Sequence, residues 1–166
     1  NASSGGGSGG GSKLTADWNV IIGEEVVSLL AGRLSRALAA SATDILVVAS
    51  HTMVALRESG VIRSQRRIDF APLCATTYAA HSTEAGAPDE NVLIGTQGGV
   101  VLVFRDLELL WSARLAHPAT ALRVGSFGGV AGLVLSLGHD GATALSYLGT
   151  DPPASSVAAE TKELNY

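Results

Sequence analysis

Four histidines and one cysteine are the side chains in this 166-residue chain best suited to metal ligation or nucleophilic chemistry. His51 and His139 fall at turns between strand-like runs, His81 lies in the loop AAHSTEAGAPDE, and His117 precedes Pro118. A zinc site usually declares itself as closely spaced His or Cys pairs, because one local turn can then present two ligands. No His-x3-His or Cys-x2-Cys pair occurs, and an exposed turn residue is the favoured reading for each histidine. Cys74 with a distant histidine would make a nucleophile and base. It sits in the apolar run FAPLCATTYA, which points instead to a buried, inert thiol. A single cysteine also excludes an internal disulfide framework.

Two glycine-rich stretches, GTQGG at 95–99 and GSFGG at 125–129, invite comparison with phosphate-binding loops. A P-loop needs Gly-x-x-x-x-Gly-Lys followed by Ser or Thr, opening onto a helix whose N-terminus meets the phosphate. Neither stretch has that form, so the glycines are read as turn and bulge residues. Asp140-Gly141 is a good hairpin turn for the same conformational reason. Arg63, Arg66 and Arg67 form the one basic cluster. A solvated outer edge is the favoured reading, and a brace against an acidic partner surface is the alternative. Trp18 and Trp111 are read as packing residues in preference to interface anchors. The residues themselves thus lead to no catalytic, cofactor-binding or metal-binding assignment.

The bulk properties narrow the classes further. Hydrophobic residues make up 46% and charged residues 16%, enough apolar content to bury a core. A net charge of −4 argues against a nucleic-acid or anionic-membrane surface driven by charge. At 5%, aromatics are too sparse for a base-stacking platform. The longest apolar runs are five residues, far below the roughly 20 that span a bilayer.

The elements that must position these residues are short and closely punctuated. Strand-like runs are Thr15–Ile22, Asp44–Ser50, HTMVAL, the more polar Val61–Asp69, APLCATTYAA, DENVLIGT, GVVLVFRD and LELLWSARL. TALRVGSF, AGLVLSLG and GATALSYLG complete the series. Glu24–Ala40 is balanced between helix and strand. Its β-rich surroundings favour a strand at Val26–Ala31 and a loop or helical turn at Arg33–Ser41. Tight turns at His51-Thr52, Gln97-Gly98-Gly99 and Asp140-Gly141 recur at intervals of about 42 to 47 residues. A period near 45 with four strands per unit is the pattern of β-propeller blades.

The fold class expected is therefore all-β, a partial β-propeller of about three blades of four-stranded antiparallel sheet. Counted along the chain, it holds one outer strand, two full blades and three strands of another. A closed propeller needs four to eight blades, so further blades are expected N-terminal to this stretch. Residues 1–12, NASSGGGSGGGS, read as a flexible Gly/Ser loop or linker, 13–149 as blades, and 150–166 as an exit segment toward a next domain. A propeller enzyme would need polar or metal-binding residues on its inner strands, and FAPLCATTYA and TALRVGSF offer few. The other alternative is a WD-type propeller of a vesicle coat, another trafficking complex or a nuclear pore, which would pair Gly-His with Trp-Asp in each blade, and that pairing is absent.

An ordered set of segments resembles the parathyroid-hormone-responsive B1 family of BBSome subunits. It comprises DWNVIIGE (17–24), RRIDFAPLCATTY (66–78), VLIGTQGGVVLVFRDLELLWSARL (92–115), SYLGTDP (146–152) and ELNY (163–166). The resemblance covers nearly all of 13–166. The family's Bardet–Biedl syndrome connection implies a non-enzymatic scaffold in a coat-like complex carrying membrane proteins in cilia with intraflagellar transport. It further implies other BBSome subunits as partners and, indirectly, membrane-protein cargo and a small ciliary GTPase. The implied location is the cilium, basal body and cytoplasm, with membrane association only through the complex. No cofactor and no nucleic acid is implied. The Gly/Ser tract falls where the family has a variable inter-strand loop, which favours a natural insertion. GRLSRALAASAT is longer and richer in alanine than the family pattern.

Overall fold

The computed structural model describes residues 14–35, 43–79 and 90–147, which form eleven strands and no helix. The first sheet holds β1 (Val26–Gly32), β2 (Asp44–Ala49), β3 (Thr52–Arg57) and β4 (Ile62–Arg67). The second holds β5 (Pro72–Ala79), β6 (Glu90–Thr96), β7 (Val100–Arg105) and β8 (Glu108–Arg114). The third holds β9 (Ala121–Phe127), β10 (Val130–Leu137) and β11 (Thr143–Tyr147). Every sheet is an antiparallel meander in chain order.

The meanders follow from turn chemistry. At Gln97-Gly98-Gly99, Gly99 takes a φ of 70°, which a glycine adopts without steric penalty. The Thr96 hydroxyl closes that turn, donating to Val100 O at 3.0 Å and accepting from Val100 N at 3.1 Å. Asp106 and Leu107 join β7 to β8 with φ of 48° and 66°, as a two-residue hairpin turn requires. Asp tolerates this region, whereas leucine there is strained.

Packing explains the unbroken apolar runs of β2, β3, β6 and β7. Adjacent residues of a strand point to opposite faces, so a sheet covered on both sides must be apolar at every position. Leu46, Val48, Met53 and Ala55 of the first sheet meet Val92, Ile94, Leu102 and Phe104 of the second. The opposite face of the second sheet, Leu93, Val101 and Val103, meets Leu122 and Val134 of the third, with Cys74 and Ala119. Val47, Val54 and Leu56, on the far face of the first sheet beside Ile45 of the same strand layer, are buried, and Ile22 packs against them. The opening strands adjoin one another, β1 beside β5 and β5 beside β9, while β4 and β8 lie outermost. Ser28 Oγ accepts from Ala75 N at 3.1 Å across the first of these seams. Sheets radiating from a shared line of first strands are propeller blades, and the all-β partial propeller is the fold observed.

Several local expectations meet the structure directly. Val26–Gly32 is a strand paired with β2, which decides the helix-or-strand ambiguity toward strand. The outer strands β4 and β8 are the exposed ones, β4 being the polar strand expected, and the third sheet has three described strands. Thr15–Ile22 is the correction, because it joins no sheet. A strand exists only through a partner edge, and the described residues offer this segment none. It serves as packing instead: Trp18 Nε1 donates to Glu58 O at 2.8 Å, and the indole lies against Gly60. The proposed linker at 1–12, the exit segment at 150–166 and the loop at 36–42 lie outside the described residues.

Polar contacts pin the elements together. Glu24 reaches over the β2–β3 turn, accepting from Thr52 Oγ1 at 2.8 Å, His51 N at 2.7 Å and Ser50 Oγ at 3.4 Å. The Thr52 hydroxyl, then the His51 amide and imidazole, hold its carboxyl below the usual glutamate range, against a smaller opposing effect of desolvation. Between the first and second sheets, Arg63 Nη2 meets Asp106 Oδ1 at 2.8 Å, and its Nε lies 3.6 Å from Asp44 Oδ1. Glu90 ties β6 to the end of β1, accepting from Arg33 N at 3.0 Å and from Thr77 Oγ1 at 3.2 Å. Its carboxylate fills the space that a side chain at Gly32 would need.

Three outcomes test this architecture. Expressed alone, residues 13–149 should oligomerise or precipitate through their open faces, and a monodisperse, cooperatively melting monomer in size-exclusion and thermal scans would contradict it. Arg63→Ala leaves the Asp44 carboxylate, only 6% exposed, without its cation. It should lower stability by about 1–3 kcal/mol in urea titrations, while Arg67→Ala stays within about 0.5 kcal/mol. Because Glu24 is depressed on folding, its contribution is present above the ordinary glutamate value and fades as pH falls through the depressed value. Glu24→Gln should therefore differ from the parent at neutral pH and converge with it in acid, measured by melting temperature from about pH 7 to 3.

Candidate functional site

The residues that could do chemistry are scattered among turns and seams. His51 is exposed, its Nδ1 3.6 Å from Glu24 Oε2 and 2.9 Å from Ser50 Oγ. His139 is exposed in the β10–β11 turn, and His81 lies outside the described residues. Cys74 is buried in the seam between the second and third sheets, its thiol donating to Ala119 O at 3.2 Å. Burial pushes that thiol up from its ordinary value, which disfavours the reactive thiolate. A side chain at Gly95 would stand 3.0 Å from Cys74 Sγ and 3.2 Å from Leu122, so this glycine allows close packing and holds no phosphate. Neither glycine-rich stretch opens a helix. Among the described residues, no group of three or more His, Cys, Asp or Glu side chains is arranged to hold a metal ion.

One constellation was not visible in the sequence order. His117, Ser136 and Asp140 converge near the base of the β10–β11 turn, and a side chain at Gly138 would meet both His117 and Asp140. Ser136 Oγ lies 3.5 Å from His117 Nε2 and also donates to Ala144 O at 3.4 Å. An activated serine needs a base at about 2.6–3.2 Å and room for a substrate, yet Ser136 is 1% exposed. Asp140 Oδ1 accepts from Ala142 N at 3.0 Å, a turn-forming contact that holds its carboxyl below the usual range. The group shapes a hairpin and is not set up for acyl transfer.

The surfaces are better suited to binding than the buried groups are to catalysis. A cleft of about 410 Å³ opens between the first and second sheets near their outer strands. Ile68, Phe70, Val100, Leu102, Phe104 and Leu109 line it, with Arg66 and Arg67 beside them. A second, of about 440 Å³, lies between the second and third sheets and is lined by Tyr78, Val124, Ser126 and Tyr147. The third sheet also presents an open apolar face. Leu135 pairs with Leu145, and Leu137 shares their side, while Val134 and Ser136 point to the covered side. Leu137 is 43% exposed and Leu145 54%.

The basic cluster meets the solvated edge expected of it in part: Arg66 and Arg67 are exposed, and Arg63 is half-buried. Arg63 is paired across the seam with Asp106, and Arg66 Nη1 donates to Leu107 O at 2.7 Å. Both therefore brace the neighbouring sheet of the same chain, and Arg67 is exposed. Fold closure brings the β4 arginines to the β7–β8 turn, roughly 40 residues away in sequence, which no local pattern reports. Trp111, partly buried against the second seam, is a packing residue as expected.

Comparison with known proteins bears on what these surfaces serve. Residues 1–152 match the family described as PTHB1 N-terminal. Protein PTHB1 of Mus musculus is 31% identical over 159 residues, covering 95% of this chain and 17% of that protein. The Xenopus laevis protein is also 31% identical, with 95% and 18% covered, and that of Homo sapiens is 30% identical, with 95% and 17% covered. The chain thus spans less than a fifth of the length of these relatives. Among solved structures, BBS1N in complex with ARL6DN superposes with a TM-score of 0.65 at 16% identity, over 81% of this chain and 41% of that one. The polycomb repressive complex 2 of Chaetomium thermophilum gives 0.52 at 11% identity, over 82% of this chain and 33% of that one. At such identities the structures report fold alone. The sequence match, over nearly the whole chain, is what shows that this chain belongs to the PTHB1 N-terminal family.

Proposed function

We propose that this chain is part of a non-enzymatic scaffold subunit of the BBSome, acting by protein–protein binding. The observation that carries the reading is the family match over residues 1–152. It is supported by the apolar surface left unburied in inter-sheet clefts and on an open sheet face. Rigid antiparallel sheets suit this role because they hold loops and edges in fixed relation, with function grafted on the surface.

In this reading the partners are other BBSome subunits. Membrane-protein cargo and a small ciliary GTPase are reached through the assembly. The fold neighbour BBS1N was solved in complex with ARL6DN, which supports the GTPase link in this reading. The work is done at the cilium, basal body and cytoplasm, and membrane contact comes only through the complex. Residues 1–12 serve as a flexible loop, 13–149 as blades and 150–166 as the path toward a following domain. No residue is assigned to catalysis, to a cofactor or to a metal.

Affinity purification of the full-length protein that carries this chain tests the proposal. BBSome subunits should be recovered in near-stoichiometric amounts at moderate salt. Folded protein that recovers none of them would overturn the assignment.

A further inference from the structure

The cleft between the first and second sheets carries more than apolar lining. At its edge the Arg66 guanidinium lies over the Phe104 ring, 5.8 Å from the centroid. Its Nη1 is tied to Leu107 O at 2.7 Å. Phe104 is itself fixed, 2% exposed and 6.0 Å from Phe70. A guanidinium has five donors in a rigid fork, so this contact leaves most of them for a ligand. An arginine held by a ring and a carbonyl has little side-chain freedom left to lose when it meets a carboxylate. Exposed Arg67 adds positive charge, while Asp69 at the same cleft offsets part of it. Discrimination then rests on the oriented fork more than on net field. Beside the fork stands an apolar trough of about 410 Å³ lined by Val100, Leu102 and Leu109, the last 47% exposed.

We infer that this cleft is a docking site for an acidic peptide segment of a partner protein. One large apolar side chain enters the trough, and a neighbouring carboxylate is received by Arg66. The inference rests on the protein-binding reading above and gives it a partner chemistry: an apolar anchor flanked by Asp or Glu. Charge complementarity selects this occupant, since Arg66 and Arg67 of an acidic chain stand where the trough opens.

The test uses the full-length protein that carries the chain and a short fluorescent peptide with one Phe flanked by Glu. Fluorescence anisotropy should show binding that weakens with salt and is lost when Lys replaces Glu or Ser replaces Phe. Leu109→Glu should weaken binding about tenfold or more. Arg66→Lys, which keeps the charge and loses the fork, should weaken it several-fold. Thermal scans establish that both variants fold. Equal binding of the Lys peptide, or no change with folded Leu109→Glu, overturns the inference. So does self-association that Leu109→Glu abolishes without any peptide preference, which would assign the cleft to a second copy. Recovery of BBSome subunits from the same preparation separates the two readings. Subunits recovered without peptide preference sink the cleft alone, and peptide bound without subunits sinks the scaffold reading alone.

Discussion

The structure depends on one constraint: a β-sheet that is apolar on both faces must be covered on both. The second sheet meets it completely. Leu102 and Phe104 face one neighbour, and Val101 and Val103 the other. With this sheet sandwiched, the first and third become its flanking layers, and the opening strands β1, β5 and β9 fall side by side. The flanking sheets meet the constraint unequally. Ile22 packs on the buried far side of the first, whereas Leu137 and Leu145 stand open on the far side of the third. Such a face is what a further blade of the same kind would cover.

Within that layering, polar groups set which sheet meets which. Hydrophobic contact is not directional, so oil-like packing alone would leave the sheets free to slide. Arg63 against Asp44 and Asp106, Glu90 against Arg33 N and Thr77, and Cys74 against Ala119 O are directional, and each crosses or lies at a seam. Glycines permit the same closeness: Gly95 leaves room for Cys74, and Gly32 leaves room for the Glu90 carboxylate. The side chains with chemical potential are thereby consumed by structure. The binding capacity lies where consumption stops, at the rim of the first seam, with Arg66 half engaged and Leu109 exposed.

Much of the strand order was legible because it depends on local signals. Continuous five-residue apolar runs marked β2 and β7, and Gly and Asp marked turns between strands. Period-two exposure failed to mark β1, since its leucine spacing also suits a helix; pairing with β2 decided it. Thr15–Ile22 misled for the converse reason. Its composition is that of a strand, but a strand is a relation between two edges, and the second edge is not in its neighbourhood. For the basic cluster, proximity in sequence suggested a shared role, yet Arg63, Arg66 and Arg67 have three different surroundings.

The sequence by itself determined an all-β chain of short meandering strands, with a repeat near 45 residues and a family resemblance carried by ordered segments. These rest on side-chain type, turn propensity and spacing, all of which are local. Only the tertiary structure decided that Arg66 stacks on Phe104 beside an apolar trough, that Ser136 of β10 meets His117 of the β8–β9 connection, and that Gly32 faces Glu90. Those contacts join residues some 20 to 60 positions apart. Their geometry is set by sheet-to-sheet packing, and the pattern along any one strand carries no record of it.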